Sequence, residues 1–164
     1  MRVLHPVLFL PLALLLHACA ATPDFDTTGI DTRLTPQRAV DNIPAAQGTT
    51  ILWGGVIIAS SNLRDVTQFE ILAYPLDDNQ RPDVGQNPLG RFLATRSGYL
   101  ETADYAQGRL LTIKGSVVDK RVGRIGEADY VYPLVTIEQL HLWPEGGGDT
   151  ESRIQFGIGV MFHN

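Results

Sequence analysis

The sequence predicts an all-β domain, a small antiparallel barrel of about six strands. Three observations predict it. Six apolar runs of strand length succeed one another from residue 49 onward. No segment of that region carries a long helical period. Glycines sit inside the strand patterns, at Gly54-Gly55 and Gly115, where a barrel bends or takes a bulge. Closure would remove the exposed edges that a single small sheet offers to aggregation. An open sandwich is the second arrangement the pattern allows.

The elements follow in order. Thr50 to Ala59 is apolar on both faces, as a central strand should be, with Gly54-Gly55 marking a bulge or sharp bend. Asn62 to Asp65 is a turn. Val66 to Tyr74 alternates, with Phe69, Ile71 and Ala73 on one face and Gln68 and Glu70 on the other, and Pro75 stops it. Asp77 to Pro88 is rich in Pro, Asp and Asn and reads as a polar hairpin loop. Gly90 to Thr95 is a short third strand, and Tyr99 to Tyr105 has room for a helical turn. Leu111, Ile113 and Val117 share one face of a fourth strand, and Gly123 and Gly126 mark the next turn. Tyr130 to Trp143 is the longest strand. Its phase slips between Glu138 and Leu140, which predicts a bulge there. Pro144 to Asp149 is a glycine-rich connector. Ile154, Phe156, Ile158, Val160 and Phe162 alternate in a last strand.

The part before the barrel divides in two. Arg2 and His5 precede an apolar run, Val7 to Leu16, and the run ends Leu16-His17-Ala18-Cys19. That layout is a secretory signal. Ten residues rise only about 15 Å as a helix, too short for a hydrocarbon core of about 30 Å. Cys19 is the single cysteine, and its setting resembles a bacterial lipobox. The resemblance implies cleavage between Ala18 and Cys19, a lipid such as palmitate on the Cys19 amine and diacylglycerol on its thiol. His17 departs from the small residue usual at its position. Ala20, in place of an Asp, favours sorting to the outer membrane. Two or more chains give stable anchoring at about 0.8 kcal/mol per buried CH₂. The expected organisation is therefore a signal peptide over 1–18, a lipidated N-terminus and tether over 19–48, and a barrel domain over 49–164. Within the tether, Thr35 and Pro36 open one helical turn as N-cap and first helical residue, and Asn42-Ile43-Pro44 ends it. As a coil this segment would span roughly 30 Å. Ile30, Leu34, Val40 and Ile43 would equally allow part of it to dock.

Composition narrows the function. Of thirteen Lys and Arg, Arg2 leaves with the signal, so twelve basic residues face eighteen acidic ones, a mature charge of −6. That balance opposes nucleic acid and adsorption to anionic lipid. Arg91, Arg96 and Arg109, with Tyr99, Tyr105 and Tyr130, are the residues a strand-binding groove would use, and the charge argues against that use. His141 and His163 alone follow the signal, without metal-ligand spacing, so no metal or cofactor is expected. Asp77-Asp78 fits turn chemistry. No serine stands in a G-x-S-x-G elbow, and Gly146-Gly147-Gly148 lacks the Lys-Ser/Thr of a phosphate loop.

Several segments form an ordered set: Trp53-Gly54-Gly55, Glu70 to Leu76, Gly90-Arg91-Phe92, Gly108 to Gly115, Gly126 to Pro133, and His141-Leu142-Trp143. Following a lipobox, this set resembles the Slp family, the starvation-inducible outer-membrane lipoproteins of Gram-negative bacteria, over nearly the whole mature chain. The resemblance implies outer-membrane attachment and a barrel similar to an OB-fold, and supplies no reaction. The expected function is a non-enzymatic envelope module linked to stress, held to the outer membrane by acyl chains and facing the periplasm. Tyr132, His141 and Trp143 are its candidate interaction surface toward an envelope protein or the cell wall. The alternative is a ligand-binding or hydrolytic domain acting on peptidoglycan or lipid. Self-association through Ile154 to Phe162 is a third reading.

Overall fold

The computed structural model describes residue 23 and residues 25–145. Five strands form a closed barrel: β1 (Thr50–Asn62), β2 (Val66–Tyr74), β3 (Gly90–Ser97), β4 (Leu110–Ile125) and β5 (Ala128–Leu142). Their order around the wall is β1-β2-β3-β5-β4. β1 closes the ring because it is long enough for two partners, β4 along Thr50–Val56 and β2 along Gly54–Asn62. One pairing is parallel, β3 with β5 over Leu93–Thr95 and Leu134–Thr136. The expected all-antiparallel ladder is corrected there: β4 carries the chain back along the barrel, so β5 runs the same way as β3. The sixth expected strand, Ile154 to Phe162, lies outside the described residues.

Strand alternation fills the interior. Phe69, Ile71 and Ala73 point inward from β2, Phe92 and Ala94 from β3, Leu111, Ile113 and Val117 from β4, and Val135 and Ile137 from β5. Trp53 meets Phe92 edge to face at 5.2 Å. Each buried Val, Leu, Ile or Phe among them contributes about 1.5–3 kcal/mol by leaving water.

Glycine and bulge positions explain the curvature. Of the bulge or sharp bend expected at Gly54-Gly55, the bulge is not there: the irregularity in β1 falls between Ile57 and Ala59. The glycines answer a different need. Gly54 pairs with Tyr74 on one side and Thr112 on the other, and a Cβ at Gly55 would run into the Leu72 carbonyl. The slip expected near Glu138 is present. Gly115 pairs with Ile137 and Lys114 with Gln139, leaving Glu138 as the extra residue. The bulge turns Leu140 and Leu142 back onto the core, where both pack.

The leader from residue 25 to 48 is docked on the barrel through Phe25, Pro36, Ala39 and Ala46, with exposed stretches between them. Thr35 caps α1 (Pro36–Asp41), its hydroxyl accepting from the Arg38 N–H at 3.3 Å. Asn42 does not end the helical stretch. It caps α2 (Ile43–Ala46), accepting from the Ala45 N–H. Ala39 and Ala46 belong to the central core cluster, and α1 packs against β3 and β5. The Trp53 indole donates to the Leu34 carbonyl at 2.7 Å. Of the two readings of this segment, free coil and docked, these contacts are those of the docked one: a five-stranded barrel has an open end, and the leader's apolar side chains pack there. Tyr99 to Tyr105 holds turns in place of the expected helical turn, with Leu100 and Tyr105 anchored on the core.

Candidate functional site

Two outer faces of the barrel are covered by the chain itself. The first lies over β1, β4 and β5. Gly54, Thr112 and His141 stand in one row across three strands. Thr112 is fully buried although it points away from the core. Its hydroxyl donates to the Gln80 carbonyl at 2.7 Å and accepts from the Trp143 indole at 3.0 Å. The loop carrying Gln80 is bent by its one positive-φ non-glycine residue, Gln80 itself at φ 64°. The Asp77 carboxylate holds it by accepting from the Asn79 and Arg81 N–H groups. Arg81 rests over the Trp143 ring at 5.4 Å, and His141 meets that ring edge-on at 4.6 Å. Arg109 donates to the Trp143 carbonyl at 2.9 Å and pairs with Glu145 at 3.2 Å, fixing the end of the strand.

The second face lies over β2 and β3, the surface that OB-type barrels offer to oligonucleotides and oligosaccharides. Here the far half of the β4–β5 ribbon reaches across. Tyr132, on β5, sits 4% exposed with its hydroxyl 3.2 Å from the Glu70 carboxylate. Arg91 donates to the same carboxylate at 2.7 Å. The Tyr130 hydroxyl accepts from the Arg91 N–H at 2.9 Å, and Arg121 donates to Gln68 at 2.7 Å. Burial pushes the Tyr132 phenol up from its ordinary range, and the adjacent Glu70 charge pushes the same way. The phenol is held neutral as a donor.

The expected interaction surface is therefore redistributed. Tyr132 and Trp143 are buried, each under its own polar contact, and they belong to different faces. Tyr132 and His141 stand nine strand steps apart, roughly 30 Å. His141 alone of the three borders open space. Burial holds its imidazole below the usual range. The lipidation, cleavage and sorting residues, Cys19, Ala18 and Ala20, lie outside the described residues.

The space beside His141 is a cleft of about 360 Å³ that β5 opens by parting from β3. Pro23 and Phe25 of the leader, Arg96 from the end of β3, and Glu138, Gln139, Leu140 and His141 line it. The bulge that returns Leu140 and Leu142 to the core is what turns Glu138 outward, where it accepts from the Ser116 hydroxyl at 2.8 Å. Phe25 is 6% exposed. Its carbonyl accepts from Gln80, and the Asp26 carbonyl accepts from Lys114 at 2.8 Å. Asp26 accepts hydrogen bonds from Thr28, which hold its carboxyl below the ordinary range. Through its described residues the cleft offers the Arg96 guanidinium, the Glu138 carboxylate and a strand edge to a polar partner. Among the described residues no three His, Cys, Asp or Glu side chains converge on a metal position, and no helix is long and apolar enough to cross a membrane.

Sequence reasoning missed the Glu70–Arg91–Tyr132 cluster and the Arg96–Glu138 cleft. The first had a signal in Glu70 on a half-buried alternating strand. The second depends on where two strands separate, which no local pattern reports.

With this geometry in place, comparison with known proteins decides the family. The model of the outer membrane lipoprotein Slp family matches residues 16–158. The chain belongs to that family. It is 30% identical over 145 residues to the outer membrane protein Slp of Escherichia coli K12, covering 87% of this chain and 77% of the relative. It is 29% identical over 135 residues to the uncharacterized lipoprotein YeaY of the same organism, covering 80% and 68%. An uncharacterized protein of Haemophilus influenzae is 30% identical over 95 residues, 57% of this chain and 51% of that one. Membership makes this chain an outer-membrane lipoprotein. A solved structure of Schizosaccharomyces pombe Pot1pC bound to single-stranded DNA resembles 74% of this chain and 90% of its own at 8% identity and a TM-score of 0.35, a likeness too slight to bear on ligands.

Proposed function

We propose that this protein is held to the outer membrane by acyl chains on Cys19, after cleavage behind Ala18, with its barrel facing the periplasm as an interaction module of the envelope. The observation that carries the reading is the match to the lipoprotein family from residue 16, which takes in Leu16, Ala18 and Cys19. Ala20 supports outer-membrane sorting. A role in starvation or stress follows the family resemblance. The barrel is read as non-catalytic because its interior is filled by core side chains and its β2–β3 face is covered by the β4–β5 ribbon. A glycoside hydrolase would place two carboxyl groups about 5–9.5 Å apart across its cleft. Among the described residues the cleft is lined by one, Glu138.

Cells expressing Cys19→Ser test the anchor. Wild type should take up labelled palmitate and fractionate with the outer membrane, and the variant should do neither. A variant that stays in the outer membrane fraction like wild type ends the proposal. Saturable binding of the protein to purified cell-wall fragments, abolished by Glu138→Gln, would turn the reading toward the ligand-binding alternative.

A further inference from the structure

The leader's docking has a consequence for how the barrel meets the membrane. Pro23 already lies at the cleft and Phe25 is buried against the barrel. Three residues separate Pro23 from Cys19, and the four steps between the two span at most about 14 Å fully extended. A body of some 120 residues has a radius of gyration near 14 Å and is roughly 35 Å across. The leash is shorter than the body's radius, so the barrel has no freedom to tumble above the bilayer.

We infer that the cleft end of the barrel, with Pro23, Arg96, Gln139 and His141, is apposed to the lipid headgroups of the membrane in which Cys19 is anchored. The inference rests on the lipid-anchor reading and adds an orientation to it. The occupant of this surface is the headgroup layer, chosen by the covalent reach of the chain. Arg96 meets phosphate, Gln139 and His141 meet polar headgroup atoms, Leu140 and Pro23 give the surface an apolar floor, and the Glu138 carboxylate of the same cleft is taken up by the Ser116 hydroxyl. The net acidic charge of the mature chain gives no general attraction to an anionic surface, so the orientation comes from the leash and the docked leader. β5 then runs toward the membrane. Its other end carries the β4–β5 ribbon, where Val122, paired with Val131, is 68% exposed. Val131 and Gln139 stand eight strand steps apart, roughly 25 Å. The ribbon tip is thus presented away from the bilayer.

The test uses full-length lipoprotein in phospholipid vesicles whose headgroups carry nitroxide quenchers. Cys19 is the single cysteine, so Gln139→Cys and Val122→Cys each give one new thiol for a fluorescent maleimide, both at exposed positions. Quenching should be several-fold stronger at 139 than at 122. About twenty Gly/Ser residues inserted between Thr22 and Pro23, a coil of roughly 25 Å, should erase most of that difference. Equal quenching at the two sites, or stronger quenching at 122, overturns the orientation. Failure of the anchor itself reads out separately: the wild-type Cys19 would take the label, and the protein would not sediment with the vesicles.

Discussion

The two covered faces of this barrel are closed by different physics. Over β1, β4 and β5 the centre of the cover is a buried aromatic with neutral hydrogen bonds: Trp143 and the Gln80 loop meet at the Thr112 hydroxyl, Leu76 lies against Gly54, and the charged groups, Arg81 and Arg109, stand around the tryptophan. Over β2 and β3 the cover is a ribbon held through one charge cluster, Glu70 with Arg91 and Tyr132. Apolar burial is non-directional and scales with area, so the first cover should yield only when volume is removed. The second depends on a few directed contacts, and breaking one partner leaves the others under-satisfied. The first is a structural lid, and the second is the part of the molecule a change of charge would open.

The largest effect expected from this contrast comes from Trp143→Ala. It removes the aromatic centre of the first cover and should cost about 3–4 kcal/mol, read from urea unfolding. The loss should persist at high salt. If the cost is under about 1 kcal/mol, the tryptophan is not holding that face.

Glu70→Ala comes next. It strands the Arg91 guanidinium, whose side chain is 25% exposed, and takes the acceptor from the Tyr132 phenol. A loss of about 2–3 kcal/mol is expected, discounted from a fully buried pair for the partial exposure. Salt should shrink it, unlike the Trp143 effect. Hydrogen exchange should rise in residues 119–132, because the ribbon has lost its main tie. A variant whose exchange rises uniformly would place Glu70 in the general stability of the barrel and not in this cover.

How far the sequence disclosed this arrangement differs between the levels of structure. Alternation in β2 and β4 reported the core directly, because a strand side chain has two faces and one is buried. The phase slip at Glu138 reported a bulge for the same reason. Thr35-Pro36 reported its helix start through local chemistry. The covers were not legible. Trp143 and Tyr132 read as candidates for an interaction surface because they lie on the outer side of β5 and just past its end, and alternation cannot say that another segment lies over that side. The leader read equally well as coil or docked, since Leu34 and Ala39 carry no periodicity of their own and gain their place only from the barrel end they close. The cleft depends on the point at which β3 and β5 part, a property of tertiary register.

Tyr132→Phe sharpens the charge-held cover at smaller scale. It deletes one hydroxyl and keeps the ring, so the packing of the ribbon stays. Loss of a hydrogen bond to a carboxylate should cost about 1–1.5 kcal/mol. A double-mutant cycle with Glu70→Gln should give a coupling of about 0.5 kcal/mol or more. Additive losses would show that the 3.2 Å contact contributes only through burial.

The smallest effect belongs to His141 at the edge of the first cover. Its pKa in the folded protein is lowered from 6.5 by burial, so the unfolded chain binds the proton more readily. Stability from this residue is complete above pH 6.5 and falls as the pH drops through 6.5 toward the folded value. Because the ring is only partly buried, the loss is modest and shows best as a small fall in Tm between pH 7.5 and 5.5. His141→Gln keeps a polar side chain against Trp143 and removes the titration, so its Tm should be flatter over that range. If wild type and variant lose Tm in parallel, the acid sensitivity originates elsewhere, and His141 is seated on the open cleft side without being part of the lid.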